Sequence, residues 1–323
     1  MKHFQQIIVA ALLFLPLSIA AQTHDIRPTK PTKPTRPART SSSFKWLDVS
    51  GYYDGYASVQ GSNHKWVLID KKGKIAYSGE WKYINPFHEG LAVVNNNIQY
   101  GAIDMSGRQV IPFQWDYVKD FSEGLACVRH NWRYGFIDKT GNVMIPCQWI
   151  DGGSFSEGLA PVQDATGKWG FIDKTGSAVI SYQWSYAGSF SEGLAAVKGS
   201  NGLYGYIDKT GKLVIPCQWK SAFGFSEGLA AVANASGKYG FIDKTGKIVI
   251  PCQWDMARFF SEGLACVRNS DDKCGFIDKT GKIVIPLQWG PMTSCYGFCD
   301  GLAPVQSANG YWGFIDKTGK KVF

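Results

Sequence analysis

The sequence carries none of the signatures that mark an enzyme. Of its five histidines only His64, His88 and His130 follow residue 43, each in a different stretch of chain, and no G-x-S-x-G, H-E-x-x-H or phosphate-loop motif occurs. A nucleophile with its base and orienting acid cannot be assembled from these pieces, so the chain reads as a non-enzyme with no catalytic residue and no cofactor. Helical periodicity is missing as well: no apolar pattern of useful length at a 3.6-residue spacing appears between Phe44 and Phe323, which leaves an all-β fold. No cysteine precedes Cys127, which excludes a lipid-modified cysteine near the N-terminus. A strong basic excess is also lacking where it would matter. The net charge is +8, but Arg27, Lys30, Lys33, Arg36 and Arg39 against Asp25 account for four of it and Lys2 for one more. The remaining chain is only weakly basic, which argues against a nucleic-acid partner.

What is present begins with an export pattern. Lys2 and His3 precede an apolar run from Ile7 to Leu17, and Ser18 and Ala20 are small residues placed for cleavage, so residues 1–21 read as a signal peptide. The run is shorter than the ~20 apolar residues a bilayer span needs and is broken by Pro16, so no transmembrane segment is expected after cleavage. The implied destination is the periplasm, the cell surface or the medium. Residues 22–43 (QTHDIRPTKPTKPTRPARTSSS) contain almost nothing apolar and are expected to form a disordered Pro/Thr/Lys-rich linker.

From residue 44 to 323 one unit of about 35 residues recurs eight times. Three columns share its phase. An aspartate opens a turn at Asp70, Asp104, Asp138, Asp173, Asp208, Asp243, Asp278 and Asp316; a tryptophan recurs from Trp46 to Trp289; and an acidic residue followed by glycine recurs from Asp54 to Asp300. Within one copy, Gly240-Phe241-Ile242 reads as a strand and Asp243-Lys244-Thr245-Gly246 as a type I turn closed by a left-handed glycine. Lys247–Ile250 is the partner strand, which Pro251 should end or confine to a sheet edge. The segment around Trp254 is expected to add a short fourth strand, and Leu264–Val267 another after the Glu262-Gly263 turn.

Eight such antiparallel meanders can curl into a propeller-like ring or stack as an open β-superhelix. The repeats start at Phe44-Lys45-Trp46, matching the end of a unit's second hairpin strand, and stop at Lys321-Val322-Phe323 within that same strand. Complementary ends favour the ring, and the superhelix stays as the alternative.

The consensus YGFIDKTGK-x-VIP-x-QW…FSEGLA-x-V resembles the WG β-repeat family of bacterial exported proteins. The family's aromatic-Gly pair is matched at Tyr100-Gly101, Tyr134-Gly135, Trp169-Gly170, Tyr204-Gly205, Tyr239-Gly240 and Trp312-Gly313, while Trp66-Val67 and Cys274-Gly275 depart from it. The resemblance implies an exported repeat scaffold and brings no catalytic residue to transfer.

The acidic and aspartate columns should meet at one end of the sheet as capped turns and ion pairs; calcium loops concentrate their oxygen ligands within about a dozen residues, which these do not. The tryptophan column suits packing, each ring burying roughly 150–250 Å². Sequence variation instead gathers in the loops after each LAxV strand, and such a face in a repeat protein commonly binds. The candidate contact residues are His130, Trp132 and Arg133 in one loop, Asn201, Asp271 and Asp272 in others, and Tyr296 in the longer final spacer. Cys295 and Cys299 in that spacer are suited to a local disulfide, whereas Cys127, Cys147, Cys217, Cys252 and Cys266 occupy small apolar slots. The expected function is a scaffold binding a protein or cell-envelope glycan. A purely structural stalk and a lectin-like glycan binder are the alternatives.

Overall fold

The computed structural model describes residues 45–79, 81–290 and 296–322. The expected signal peptide and linker lie outside these residues, as does Cys295 and with it the Cys295–Cys299 pairing.

Among the described residues the chain forms seven four-stranded antiparallel sheets and one of two strands, each sheet built from consecutive strands. Blade 3 shows the pattern: a short inner strand Tyr117–Val118, then Leu125–His130, Arg133–Asp138 and the outer strand Val143–Trp149. Blades 1 and 2 span 48–78 and 83–115; blades 4, 5, 6 and 7 span 151–184, 186–219, 221–254 and 256–289. The eighth sheet pairs only Leu302–Gln306 with Trp312–Asp316. Its outer edge is completed from both termini, by bridges from Trp312 to Trp46 and from Ile315 to Lys321. Eight repeats in the sequence thus become seven complete blades and one shared unit.

Apolar packing runs between sheets. One cluster joins Leu91, Ala102 and Trp115 of blade 2 to Val118, Phe121 and Ile137 of blade 3. Equivalent clusters link every later pair through blades 7 and 8. Val49, Tyr52 and Ala57 of blade 1 then pack against Trp46, Leu302, Trp312 and Phe314 of the eighth unit, and a last cluster joins blades 1 and 2. The cycle closes, so the fold is a β-propeller and the open superhelix is set aside.

The turns hold as expected. The Asp243 carboxylate accepts from the N–H groups of Thr245 (2.9 Å) and Lys247 (3.1 Å), and Gly246 sits at φ 87°. Pro251 lies on an edge strand, one of the two places expected for it, whereas the segment around Trp254 is not a separate strand but the end of the same one. The outer strand runs unbroken from Ile248 to Trp254, with the register between Tyr239↔Trp254 and Phe241↔Ile250 shifted by a bulge. An outer strand needs no N–H at that position, so proline is tolerated inside it. The same bulge explains the glycine of the aromatic-Gly pair: a Cβ on Gly240 would lie 2.5 Å from the Ile250 carbonyl oxygen. Blade 1 has Val67 there because its outer strand is the short Ile75–Ser78, without that bulge. Gly240→Ala should lose about 1–3 kcal/mol, as overpacking against backbone does, read as a lower urea midpoint with unchanged slope.

Candidate functional site

Two faces of the ring differ in kind. On one, each Glu-Gly pair forms a two-residue hairpin with both residues at positive φ, as at Glu123 (55°) and Gly124 (86°). The glutamate side chain reaches to the next blade: Glu157 accepts from the Gly193 N–H at 3.0 Å and pairs with Lys209 at 2.9 Å. The link repeats at Glu89, Glu123, Glu192, Glu227 and Glu262, and Asp300 carries it across the closure to Gly55 and Lys71. At the junction of blades 1 and 2, Met105 stands where the other turns have lysine. Burial raises the Glu157 carboxyl, but the Lys209 ammonium and the Gly193 N–H outweigh it and hold the group below its ordinary value. The acidic column is therefore a clasp between blades.

The other face carries the hairpins between second and third strands, where the sequence varies. Much of that variation hides one geometry. In blades 1, 4, 5, 6, 7 and 8 the first loop residue both donates to the residue four on and accepts from the residue three on, as Asp164 does with Lys168 and Gly167. Asn201 spends its side chain inside such a turn, accepting from Leu203 N–H and donating to the Cys217 carbonyl. Asp272 pairs with Arg268 at 2.6 Å, and Asp271 interacts with Asn269. All three are exposed on this face; Asp271 and Asp272 share the blade 7 hairpin, and blade 6 lies between that hairpin and Asn201 in blade 5.

Blades 2 and 3 break the pattern with shorter hairpins. Asn131 and Trp132 alone link the second and third strands of blade 3, at φ 49° and 63°. Positive φ is costly for a bulky side chain. The turn is fastened by the Asn131 N–H donating to Asp116 Oδ2 at 2.9 Å, and Arg129 lies over the Trp132 ring at 5.2 Å. Trp132 is 80 % exposed, and His130 and Arg133 beside it are exposed too. In blade 2 the equivalent tip is Ile98, 82 % exposed, after Asn97 at φ 86°. Sequence reasoning passed over Ile98, although it precedes Tyr100 by the same two residues that separate Trp132 from Tyr134.

Tyr296 lies elsewhere, on the inner edge of the eighth unit, half-buried with Arg258 5.0 Å over its ring. The cysteine slots also need adjustment. Cys127 and Cys266 are fully buried, and burial pushes the Cys127 thiol up to about 12; Cys147, Cys217 and Cys252 are only half-buried.

The family described as WG containing repeat matches seven segments, residues 66–97, 100–131, 134–168, 169–204, 204–236, 239–274 and 275–311. No curated protein matches the chain in sequence. Among solved structures, the computationally designed Ika8 protein is similar over 84 % of this chain and 96 % of its own, at 11 % identity and a TM-score of 0.60. BamB from Moraxella catarrhalis is similar over 84 % and 97 %, at 12 % identity and a TM-score of 0.56. At such identities the likeness is one of fold.

Proposed function

Because the chain belongs to the WG containing repeat family, we propose that it is an exported, non-enzymatic scaffold that docks a protein of the cell envelope through the hairpin tips of blades 2 and 3. One observation carries the reading. Ile98 and Trp132 occupy equivalent tips of neighbouring blades and are the two most exposed large apolar side chains among the described residues. A strained two-residue turn holds the tryptophan outward, where packing alone would have favoured burying it. Exposed aromatic and aliphatic anchors ringed by arginine and histidine are the composition of protein-binding hot spots. The leader-like N-terminus and the Pro/Thr/Lys-rich segment after it support export and a tether.

The test is attachment of purified protein to envelope fractions of the source organism, with crosslinking to recover the partner. The double variant Ile98→Ser/Trp132→Ser should weaken attachment at least about tenfold, as loss of two hot-spot side chains does, while its melting curve stays that of the parent. Attachment at parental strength would reject these tips as the docking site.

A further inference from the structure

At the centre of the ring the inner strands of neighbouring blades touch, as where Asn85 donates to Asp120 at 2.6 Å and Ser189 to the Ser154 carbonyl at 3.2 Å. One position of each inner strand faces this wall. It holds Ser50, Asn85, Lys119, Phe223, Arg258 and Tyr296 in blades 1, 2, 3, 6, 7 and the eighth unit, but Gly153 and Gly188 in blades 4 and 5. The two glycines leave a cavity of about 480 Å³ between blades 3 and 5, within the size range of small-molecule sites.

The two glycines are there for different reasons. A Cβ on Gly153 would strike the Pro161 ring at 2.6 Å, so packing forces that one. Around Gly188 the nearest atoms to a Cβ are the Ala196 carbonyl oxygen at 3.7 Å and Tyr186 at 4.0 Å, and its φ is not among the positive ones. Neither turn geometry nor crowding requires glycine at 188; what its absent side chain leaves is open space.

The walls of that space have a particular chemistry. Tyr186 stands at the edge, exposed, with its ring 5.7 Å from that of Trp169. Asp151, which accepts from the Gly152 N–H at 2.7 Å, and Lys119, which donates to the Gly152 carbonyl at 2.7 Å, face the cavity with opposite charges. Ser154 and Ser189 add hydroxyls. An aromatic platform, one carboxylate, one ammonium and two hydroxyls around an open volume suit a ligand with an apolar C–H face and many hydroxyls but no net charge. A phosphate or sulfate would meet one cation and one carboxylate and gain little.

We infer that the cavity between blades 3 and 5 binds a neutral saccharide, whose ring stacks on Tyr186 and whose hydroxyls bond Asp151, Lys119 and the serines. The site is separate from the hairpin tips and does not depend on them.

Titration calorimetry of the full chain with maltotriose, cellotriose, triacetylchitotriose and inorganic phosphate tests it. At least one trisaccharide should bind, with a Kd of roughly 0.1–10 mM, a weak affinity on the usual scale. Gly188→Phe should weaken that binding at least about tenfold. Blade 6 carries Phe223 at the same position and keeps the same backbone bond, Phe223 N–H to the Ala231 carbonyl as Gly188 N–H to that of Ala196, so the variant has a precedent within the fold. Tyr186→Ala, a change at an exposed ring, should weaken binding independently, and Ile98→Ser/Trp132→Ser should leave it unchanged. No binding of any of the three sugars up to about 10 mM, phosphate binding in their place, or parental sugar affinity in folded Gly188→Phe would overturn the assignment.

Discussion

A chain beginning at Asp48 should lose more stability than any single core substitution, because it removes the piece that closes the ring. Residues 45–47 supply three backbone hydrogen bonds to Trp312, from Lys45 N–H (3.1 Å), from Trp46 N–H (3.3 Å) and to the Trp46 carbonyl (2.9 Å). They also supply the Trp46 ring, which is buried among Tyr52, Leu302, Trp312 and Phe314. Trp46→Ala alone, which keeps the backbone bonds, should cost about 3–5 kcal/mol, the usual range for a buried tryptophan. Deletion should exceed that, since it uncovers the unpaired outer edge of the eighth unit as well. Guanidinium unfolding of the parent, the point variant and the truncation gives the comparison. Small-angle scattering gives the shape: the intact ring of ~280 residues should show a radius of gyration of about 19 Å, and the truncation a larger one. Equal stability of parent and truncation would mean that the terminal strand does not close the ring.

The features legible in the sequence are those with local causes. The Asp-x-Thr-Gly turn is capped by its own aspartate and the Glu-Gly turn is set by backbone conformation, so both could be read from a few residues. The complementary termini could be read as well, because each half of the split strand still carries the motif of the whole. What could not be read depends on which chains lie side by side. Pro251 could be placed at a strand end or a sheet edge but not inside an unbroken outer strand, because the bulge that accommodates it rests on Gly240 in the neighbouring strand. The loops of blades 4 to 8 looked variable although one turn geometry underlies them, since Asp164, Gly199, Asn234, Asn269 and Ser307 all provide the same backbone pattern. Gly188 carries no sequence signal of its own. Only its place on the inner wall, at the position that Phe223 and Arg258 hold in later blades, makes the missing side chain informative.

The clasp between blades makes the propeller sensitive to acid. Twelve carboxyls are held below their ordinary values. In most of the turns the Thr hydroxyl at the third position is the largest cause, as Thr245 is for Asp243; at Asp138 burial works against the shift and is outweighed by Thr140 and Asn142, and the Ser106 hydroxyl brings Asp104 down to about 2. In the glutamates burial works the other way and is outweighed by lysine and the next blade's N–H. A carboxyl with a lower pKa folded than unfolded contributes stability that is complete above its unfolded value, near 4. That stability is lost as pH falls through the folded value. Asp120 opposes the trend, since burial raises it despite His88 at 3.6 Å and Asn85, but it is one group against twelve. The thermal midpoint should therefore be nearly level from about pH 8 to 5 and fall steeply below about pH 4. Glu157→Gln, which keeps an acceptor for Gly193 but gives up the Lys209 ion pair, should lower the neutral plateau slightly and shrink the acid drop. Its half-buried, solvent-reached rim position limits the loss at neutral pH to less than about 1 kcal/mol. A midpoint that holds or rises down to pH 3 would show that these carboxylates do not fasten the blades.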